Sequence, residues 1–333
     1  MATPLLDLVL SQPTAVATLR RALAGGRVHH AYLFEGPEGV GKELAAFGLA
    51  QALVCEKRQD GQSDACGACS ACARVVVREG QQRPVHPDVV VIERGLYDPA
   101  QIGRRTPETQ DISIDQVRTL VLARAAFAPH EGRAKVFIIR RAEELSISAA
   151  NALLKTLEEP GKGTHFVLLS SAPDTLLPTI RSRTQRVRFA PLPDGVVESL
   201  LVKRGVEAPQ AKAIALLAGG SVEAGLRLAD PEQTEKREAF VLQALAALDA
   251  KELGLALALA EEAKKHKDAL PIHLVALAAR FAEDARYFAD AHDRRAEIAA
   301  GRWRQALFAV QQLDGNASAQ LVVESMLSRM RGM

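Results

Sequence analysis

The stretch Gly36-Pro-Glu-Gly-Val-Gly-Lys-Glu43 follows a short apolar run, Ala31–Glu35, and precedes helical spacing over residues 43–54. A strand, a glycine-rich loop and a helix in this order form the context of the phosphate-binding pattern G-x-x-x-x-G-K-[ST]. In that pattern the glycines let backbone N–H groups wrap the phosphates, and the lysine reaches the outer ones. The loop therefore predicts an α/β fold with a nucleotide site. The candidate cofactor-binding residues are Gly36, Gly39, Gly41 and Lys42.

The last position of this loop carries Glu43 in place of the hydroxyl that would hold Mg²⁺. A carboxylate about 4 Å from a phosphate charge repels it by about 4 kcal/mol per charge pair at an effective dielectric of roughly 20. The loop should therefore bind nucleotide weakly and hydrolyse it more weakly still. As a structural alternative, Glu43 stabilises the first turn of the helix through the helix dipole, by about 0.3 to 1 kcal/mol. Lys42 could then pair with Glu43 or with another acidic neighbour.

The second half of the expected nucleotide site also departs from the pattern of an active enzyme. A P-loop ATPase needs an acidic residue at the end of a second strand to hold Mg²⁺. The apolar run Lys135–Ile139 is a suitable strand, but Arg140 and Arg141 follow it. Glu143 and Glu144 come three or four residues later, which places them beyond the end of the strand. Two positions of the site thus argue against hydrolysis.

All four cysteines of the chain lie close together, in the spacing C-x10-C-x2-C-x2-C. A C-x2-C turn brings two thiolates near one tetrahedral ion, and four thiolates leave no open position for catalysis. Disulfides or buried thiols are the alternative, which the absence of other cysteines disfavours in a cytoplasmic chain. A structural zinc site is predicted, and its metal would supply folding energy for the polar segment 56–65. The expected ligands are Cys55, Cys66, Cys69 and Cys72.

Hydrophobic patterns divide the chain into an α/β part and a helical part. Further strand-like runs occupy residues 88–92 and 165–170, and helical patterns occupy 114–126 and 148–159. Strands separated by helices indicate a parallel sheet with right-handed crossovers. Beyond the turn-rich segment 190–195 strand signals vanish, and the helical C-terminal part is either an assembly surface or a stabilising cap. The predicted domains are 1–189, 190–230 and 231–333.

Composition sets further limits on function. The chain has 333 residues, of which 48% are apolar and 25% charged, with a formal net charge of +2. These values are typical of a globular protein of two or three domains, and they disfavour a chain-wide basic surface for nucleic acid. The N-terminus lacks the features of a signal peptide, and no stretch of about 18 uncharged apolar residues occurs. We expect a cytoplasmic protein without a membrane partner.

Several segments resemble one known family. Residues 135–160 are similar to the clamp-loader branch of the AAA+ ATPases, and Asn151-Ala-Leu-Leu-Lys-Thr-Leu-Glu-Glu-Pro160 is typical of that branch. Within it, the chain is most similar to the delta-prime family of bacterial DNA polymerase III, whose members are described as lacking ATPase activity. The resemblance spans most of the chain. It also covers the cysteine module and residues 30–34, 114–118, 182–184 and 316–321.

This resemblance implies an architecture, a function and partners. The expected fold is an AAA+ P-loop domain with a parallel sheet and an inserted zinc module, then a small helical lid domain and an all-helical C-terminal oligomerisation domain. The expected function is that of a non-catalytic subunit supporting ATP-driven loading of a sliding clamp onto primed DNA. The expected partners are the ATPase subunits and the delta subunit of the loader, the sliding clamp and primed DNA. The implied cofactors are structural zinc and, as an open question, ATP or ADP.

Individual residues receive roles from the same resemblance. Arg183 matches the arginine finger that clamp-loader subunits project into a neighbour's ATP site, although Thr184 stands where the family usually has cysteine. A planar, always charged guanidinium can neutralise charge developing on a transferred phosphoryl group. The alternative is that Arg183 is one more surface arginine. Ser170 and Ser171 lie at the first sensor position, and Glu223 replaces the arginine of the second sensor.

Two other functions stay open at this point. The first is an active ATPase motor subunit of the same complex that uses Glu43 or Glu143 as an unusual Mg²⁺ ligand. The second is a zinc-containing DNA-binding module that acts without any ring.

Overall fold

The computed structural model describes residues 3–78, 80–106, 111–131, 133–266, 269–314 and 317–333. The chain forms two compact units. One contains Met1–Leu200 and Gly219–Glu223, and the other contains Leu201–Ala218 and Ala224–Met333. The division into three domains at residues 189 and 230 stays a prediction. Asn316, the first residue of one family-like segment, lies outside the described residues.

The first unit is built on one parallel sheet of five strands. Their order across the sheet is β2-β3-β4-β1-β5, and every neighbouring pair is parallel. Parallel neighbours require crossover connections, which the intervening helices provide. The predicted parallel sheet is therefore confirmed. The strands are β1 Ala31–Glu35, β2 Val89–Ile92, β3 Lys135–Ile139, β4 Thr164–Ser170 and β5 Gln185–Arg188.

The central strands are apolar because helices cover both faces of the sheet. Every residue of β1, β2 and β3 is buried, as expected for a parallel sheet. Phe137 and Phe166 stack in the core with their ring centroids 5.2 Å apart. Leu153 and Leu157, in the helix between β3 and β4, are fully buried in the same cluster. Burial of each such side chain contributes about 1.5 to 3 kcal/mol to stability.

Strand β5 is not marked by the hydrophobic pattern. Its sequence is Gln-Arg-Val-Arg, and Val187 is its one buried side chain. It is an edge strand that pairs with β1. The buried carboxylate of Glu35, at the end of β1, accepts hydrogen bonds from Nε of Arg186 and Nε of Arg188, both at 2.7 Å. Ion pairing to a neighbouring strand thus accompanies the backbone pairing of this polar strand.

Two helices of the first unit begin at serine caps. Oγ of Ser113 accepts from the Gln116 amide and Oγ of Ser146 accepts from the Ala149 amide, both at 3.2 Å, which satisfies donors that a helix start leaves free. The predicted helical stretch 114–126 contains a π-helical turn, Val117–Leu122. The helices are α1 Pro13–Ala24, α2 Lys42–Val54, α3 Ser70–Val75, α4 Ile114–Gln116, α5 Ala123–Ala125, α6 Ile147–Glu158, α7 Pro178–Arg181 and α8 Asp194–Lys203, whose last three residues belong to the second unit. Short 3-10 turns occur at Leu5–Leu8, Pro99–Ile102, Ala142–Glu144 and Pro173–Thr175.

After α8 the described residues form helices and no strands, as the sequence predicts. Leu274, Leu277 and Phe281 of one long helix lie in a core that also contains Met326 and Met330. None of the described helices combines the length and apolarity needed to cross a bilayer. The helices are α9 Ala208–Leu217, α10 Val222–Ala229, α11 Pro231–Asp249, α12 Gly254–Lys265, α13 Leu270–Asp290, α14 Arg295–Asp314 and α15 Ala319–Arg331.

Candidate functional site

Three glycines shape the loop between β1 and α2. Gly36, Gly39 and Gly41 have φ values of 145°, 68° and 100°, a region that strains residues with a side chain. A Cβ atom at Gly36 would lie 2.3 Å from the Phe189 carbonyl oxygen, and one at Gly39 would lie 2.5 Å from the Glu223 amide nitrogen. The shape of the loop and its close packing therefore both require glycine.

Lys42 is folded back onto its own loop. Its ammonium group donates to the carbonyl oxygens of Gly36 and Pro37. Burial lowers the pKa of Lys42 to about 8, against the opposing charges of Glu143 and Glu38. The pairing with Glu43 that the sequence leaves open is therefore not seen. The lysine satisfies acceptors of the loop itself in this structure.

Arg140, the residue after β3, bridges two carboxylates. One terminal nitrogen of its guanidinium pairs with Glu43, and the other lies 2.7 Å from Oε2 of Glu93. The Arg140 side chain is 15% exposed. Burial alone would lower its pKa, but the charges of Glu43 and Glu93 outweigh burial and raise it. The Arg140 guanidinium is therefore a charged and largely buried group beside the first turn of α2.

The two departures from an active P-loop thus meet in space. An active site holds Mg²⁺ between the loop hydroxyl and a carboxylate at the end of a strand. Here Glu43 stands in the first position and Arg140 in the second, and the two side chains bind each other. The cation of this site is supplied by the protein. The sequence analysis identified both residues but did not predict that they pair. Their opposite charges could have suggested this ion pair.

The neighbouring acidic residues are also engaged. Oε1 of Glu143 accepts from the Ser171 amide at 3.1 Å and from the Ser171 hydroxyl at 2.7 Å. Burial would raise the pKa of Glu143, but these hydrogen bonds outweigh it and lower the pKa. Its Oε2 is buried without a hydrogen-bond partner among the described residues. Arg141 lies 3.8 Å from Glu38 and 3.7 Å from Glu144.

The predicted sensor residues lie beside the same site. Ser170 ends β4 and is buried, and its hydroxyl accepts from the Ala172 amide at 3.2 Å. The backbone of Glu223 packs against Gly39 of the loop. Ser170 therefore caps its strand, while Ser171 binds Glu143 as described above.

Arg183 lies near the amino-terminal ends of the parallel strands, whereas the loop lies at their carboxyl-terminal ends. It precedes the first residue of β5, whereas the loop follows the last residue of β1, and β1 and β5 are parallel. Its Nε donates to Oε1 of Glu158 at 2.6 Å, and its Nη1 donates to the Thr179 carbonyl at 3.0 Å and to the Ser182 hydroxyl at 3.3 Å. Arg183 therefore cannot serve the chain's own loop.

The four cysteines converge on one point after α2. Their sulfur atoms all lie within 4.8 Å of one another. The Sγ atoms of Cys55 and Cys69 are 3.9 Å apart, as are those of Cys66 and Cys72. All four are free thiols. They form a candidate metal centre.

The geometry of this cluster fits a tetrahedral ion. Zn–S bonds of about 2.3 Å place tetrahedral sulfur ligands about 3.8 Å apart, close to the 3.9 Å of the Cys55–Cys69 and Cys66–Cys72 pairs. Backbone amides point at three of the sulfurs: the Cys66 amide donates to Cys55, the Cys69 amide to Cys66 and the Cys72 amide to Cys69. Such N–H donors favour thiolates, the form that binds metal.

The sequence is similar to that of known replication proteins. Residues 11–193 match the family described as "DNA polymerase III, delta subunit". The chain is 32% identical to the delta' subunit of DNA polymerase III from Bacillus subtilis over 215 residues, which is 64% of this chain and 58% of that protein. It is 36% identical to the delta' subunit from Pseudomonas aeruginosa over 224 residues, 65% of this chain and 61% of that protein.

A second group of relatives carries a different subunit name. The chain is 36% identical to DNA polymerase III subunit gamma/tau from Mycobacterium tuberculosis over 195 residues, which is 59% of this chain and 30% of that protein. The chain thus spans less than two thirds of the length of each of these relatives. The family match covers more than half of the chain, and the relatives named delta' confirm the delta-prime resemblance of its motifs. The chain therefore belongs to the DNA polymerase III delta subunit family.

Proposed function

We propose that this protein is a clamp-loader subunit that does not hydrolyse ATP. It would support the loading of a sliding clamp onto primed DNA by neighbouring ATPase subunits, as part of an AAA+ ring that also contains a delta subunit. Membership of the DNA polymerase III delta subunit family supports the general role. The bridge from Arg140 to Glu43 and Glu93 is the observation that carries the absence of hydrolysis.

Electrostatic repulsion at the loop opposes hydrolysis. A guanidinium about 4 Å from Mg²⁺ would repel it by on the order of 8 kcal/mol at an effective dielectric of roughly 20. Mg²⁺ would also have to compete with Arg140 for Glu43 and Glu93. A nucleotide that entered the loop would have to displace Lys42 from the carbonyls of Gly36 and Pro37. Both halves of the site therefore oppose Mg-dependent chemistry.

Arg183 is the residue for which we propose a direct part in catalysis, in trans. Arg183 lies at the amino-terminal ends of the strands, away from its own loop. This position suits a group that reaches another subunit's nucleotide. A guanidinium supplied from a neighbour stabilises the charge that develops on a transferred phosphoryl group. The chemistry of this subunit would then take place in an ATP site belonging to its neighbour.

We propose that Cys55, Cys66, Cys69 and Cys72 hold one structural zinc ion. Four thiolates close the coordination sphere, so the ion would not act in catalysis. The cluster is tied to the first unit, because Gln51 of α2 donates to the Cys72 carbonyl at 3.2 Å and accepts from the Leu5 amide at 3.0 Å. These bonds support a structural role in this unit over an independent DNA-binding module.

One observation favours the alternative of an active motor subunit. The unpaired Oε2 of Glu143 is a carboxylate oxygen of the kind that Mg²⁺ binds. Glu43 does not serve this alternative, because Arg140 already occupies its carboxylate. Direct measurement of ATP hydrolysis separates the two functions.

The isolated chain and its Glu43→Thr variant are both expected to show no Mg²⁺-dependent ATP hydrolysis. Arg140 remains beside Glu93 in each, so restoring the loop hydroxyl alone does not create a metal site. Phosphate release is the measurement, with Lys42→Ala as the control for any turnover at this loop. Hydrolysis that Lys42→Ala abolishes would contradict the proposal and favour the motor.

Arg183→Ala is expected to slow ATP hydrolysis in the complex reconstituted with the ATPase subunits. The loss should be about 10³-fold or more at the one site that faces this subunit, the range measured for other arginine fingers. Single-turnover hydrolysis and clamp loading onto primed DNA are the readouts. Arg181→Ala, which removes an arginine two residues earlier in the chain that pairs with Asp174, is the control. Unchanged hydrolysis and loading in Arg183→Ala would refute the finger.

Protein purified without chelator is expected to contain about one zinc ion per chain, because four thiolates complete one tetrahedral site. Cys69→Ser should lose the metal and loosen the segment around it, since metal binding contributes to folding. Elemental analysis and limited proteolysis are the measurements, with Ser70→Ala as the neighbouring control. A metal content far below one per chain in the wild type would end the proposal.

A further inference from the structure

The proposed finger is neutralised within its own chain. Glu158, the last residue of α6, accepts from Nε of Arg183 at 2.6 Å and also pairs with Nη2. The Nη1 atom is held separately, by the Thr179 carbonyl and the Ser182 hydroxyl. Two sets of contacts therefore act on one guanidinium: neutral acceptors on one side and a carboxylate on the other.

A cavity of about 460 Å³ lies beside this pair. Arg183 and Glu158 both line it, together with His29 and His30, whose rings stack with centroids 4.3 Å apart. Burial, with a smaller effect of His29, lowers the pKa of His30, which favours its neutral imidazole. Beside this cavity the charge of Arg183 is offset by that of Glu158, to which it is paired.

We propose that Glu158 is the resting counter-ion of Arg183, and that a terminal phosphate of the neighbouring subunit's nucleotide displaces it when the ring closes. This inference rests on the proposed role of Arg183 as an arginine finger. Glu158 is then a restraint on the finger. Glu158 keeps the charge of Arg183 paired until an anion of higher charge, the phosphate, binds to it.

The direction of the effect follows from charge. A guanidinium that binds a carboxylate through Nε and Nη2 offers a phosphate little of its bidentate face. A phosphate that approaches Arg183 must replace the carboxylate, and the displaced carboxylate repels it. The bonds from Nη1 to Thr179 and Ser182 do not depend on Glu158. Loss of the Glu158 charge should therefore free the finger while leaving part of its orientation intact.

The test is single-turnover ATP hydrolysis in the reconstituted complex with Glu158→Gln. Glutamine keeps the size and the acceptor oxygen of the side chain but removes the charge. At the site that Arg183→Ala slows, the rate is expected to rise roughly two- to five-fold, the size expected for a partly exposed ion pair. Glu159→Gln removes the adjacent exposed charge and is the matched control, with no change expected. The double variant Arg183→Ala/Glu158→Gln should hydrolyse as slowly as Arg183→Ala alone.

The outcomes separate this inference from the function on which it rests. If Arg183→Ala leaves hydrolysis unchanged, the finger is refuted, and the restraint falls with it. If Arg183→Ala is slow but Glu158→Gln hydrolyses at the wild-type rate or below, the restraint alone is refuted. A two- to five-fold increase that also appears in Glu159→Gln would refute it as well, because the effect would then come from general charge. Thermal unfolding of each variant shows that the compared chains are equally folded.

Discussion

A largely buried guanidinium, that of Arg140 at the end of β3, binds the carboxylate of Glu43 at the start of α2 and that of Glu93 at the end of β2. This contact lies where a P-loop enzyme would place its metal ion, between the loop and the end of a second strand. Removing Arg140 would leave the carboxylates of Glu43 and Glu93 without their shared cation at partly buried positions, which is costly. The ion pair therefore stabilises the site and opposes Mg²⁺ binding at the same time.

The parallel sheet separates the phosphate-binding loop from the proposed arginine finger, Arg183. Phosphate-binding loops follow the carboxyl ends of strands, and the loop of this chain follows β1 in that way. Arg183 precedes β5, which is parallel to β1, and so lies at the opposite, amino-terminal ends of the strands. A subunit of this design can lose the chemistry of its own loop and still present a cation to a neighbour. Glu158 adds control over when that cation becomes available.

Much of this architecture could be predicted from local sequence. The glycine spacing before Lys42 indicates a strand, a loop and a helix, and the cysteine spacing indicates a metal cluster, because both patterns depend on near neighbours. The pairing of Glu43 with Arg140 joins residues 97 positions apart, so it needs the register of β3 against the rest of the sheet. Strand β5 escaped detection because Val187 is its single buried residue and polar side chains fill the rest.

Nucleotide affinity tests most directly whether Arg140 takes the place of Mg²⁺. A non-hydrolysable ATP analogue is titrated into the full chain by calorimetry, once with Mg²⁺ and once with chelator. We expect that Mg²⁺ does not tighten binding, because Arg140 excludes the ion from the site. Tightening of about tenfold or more by Mg²⁺, which corresponds to about 1.4 kcal/mol, would contradict it.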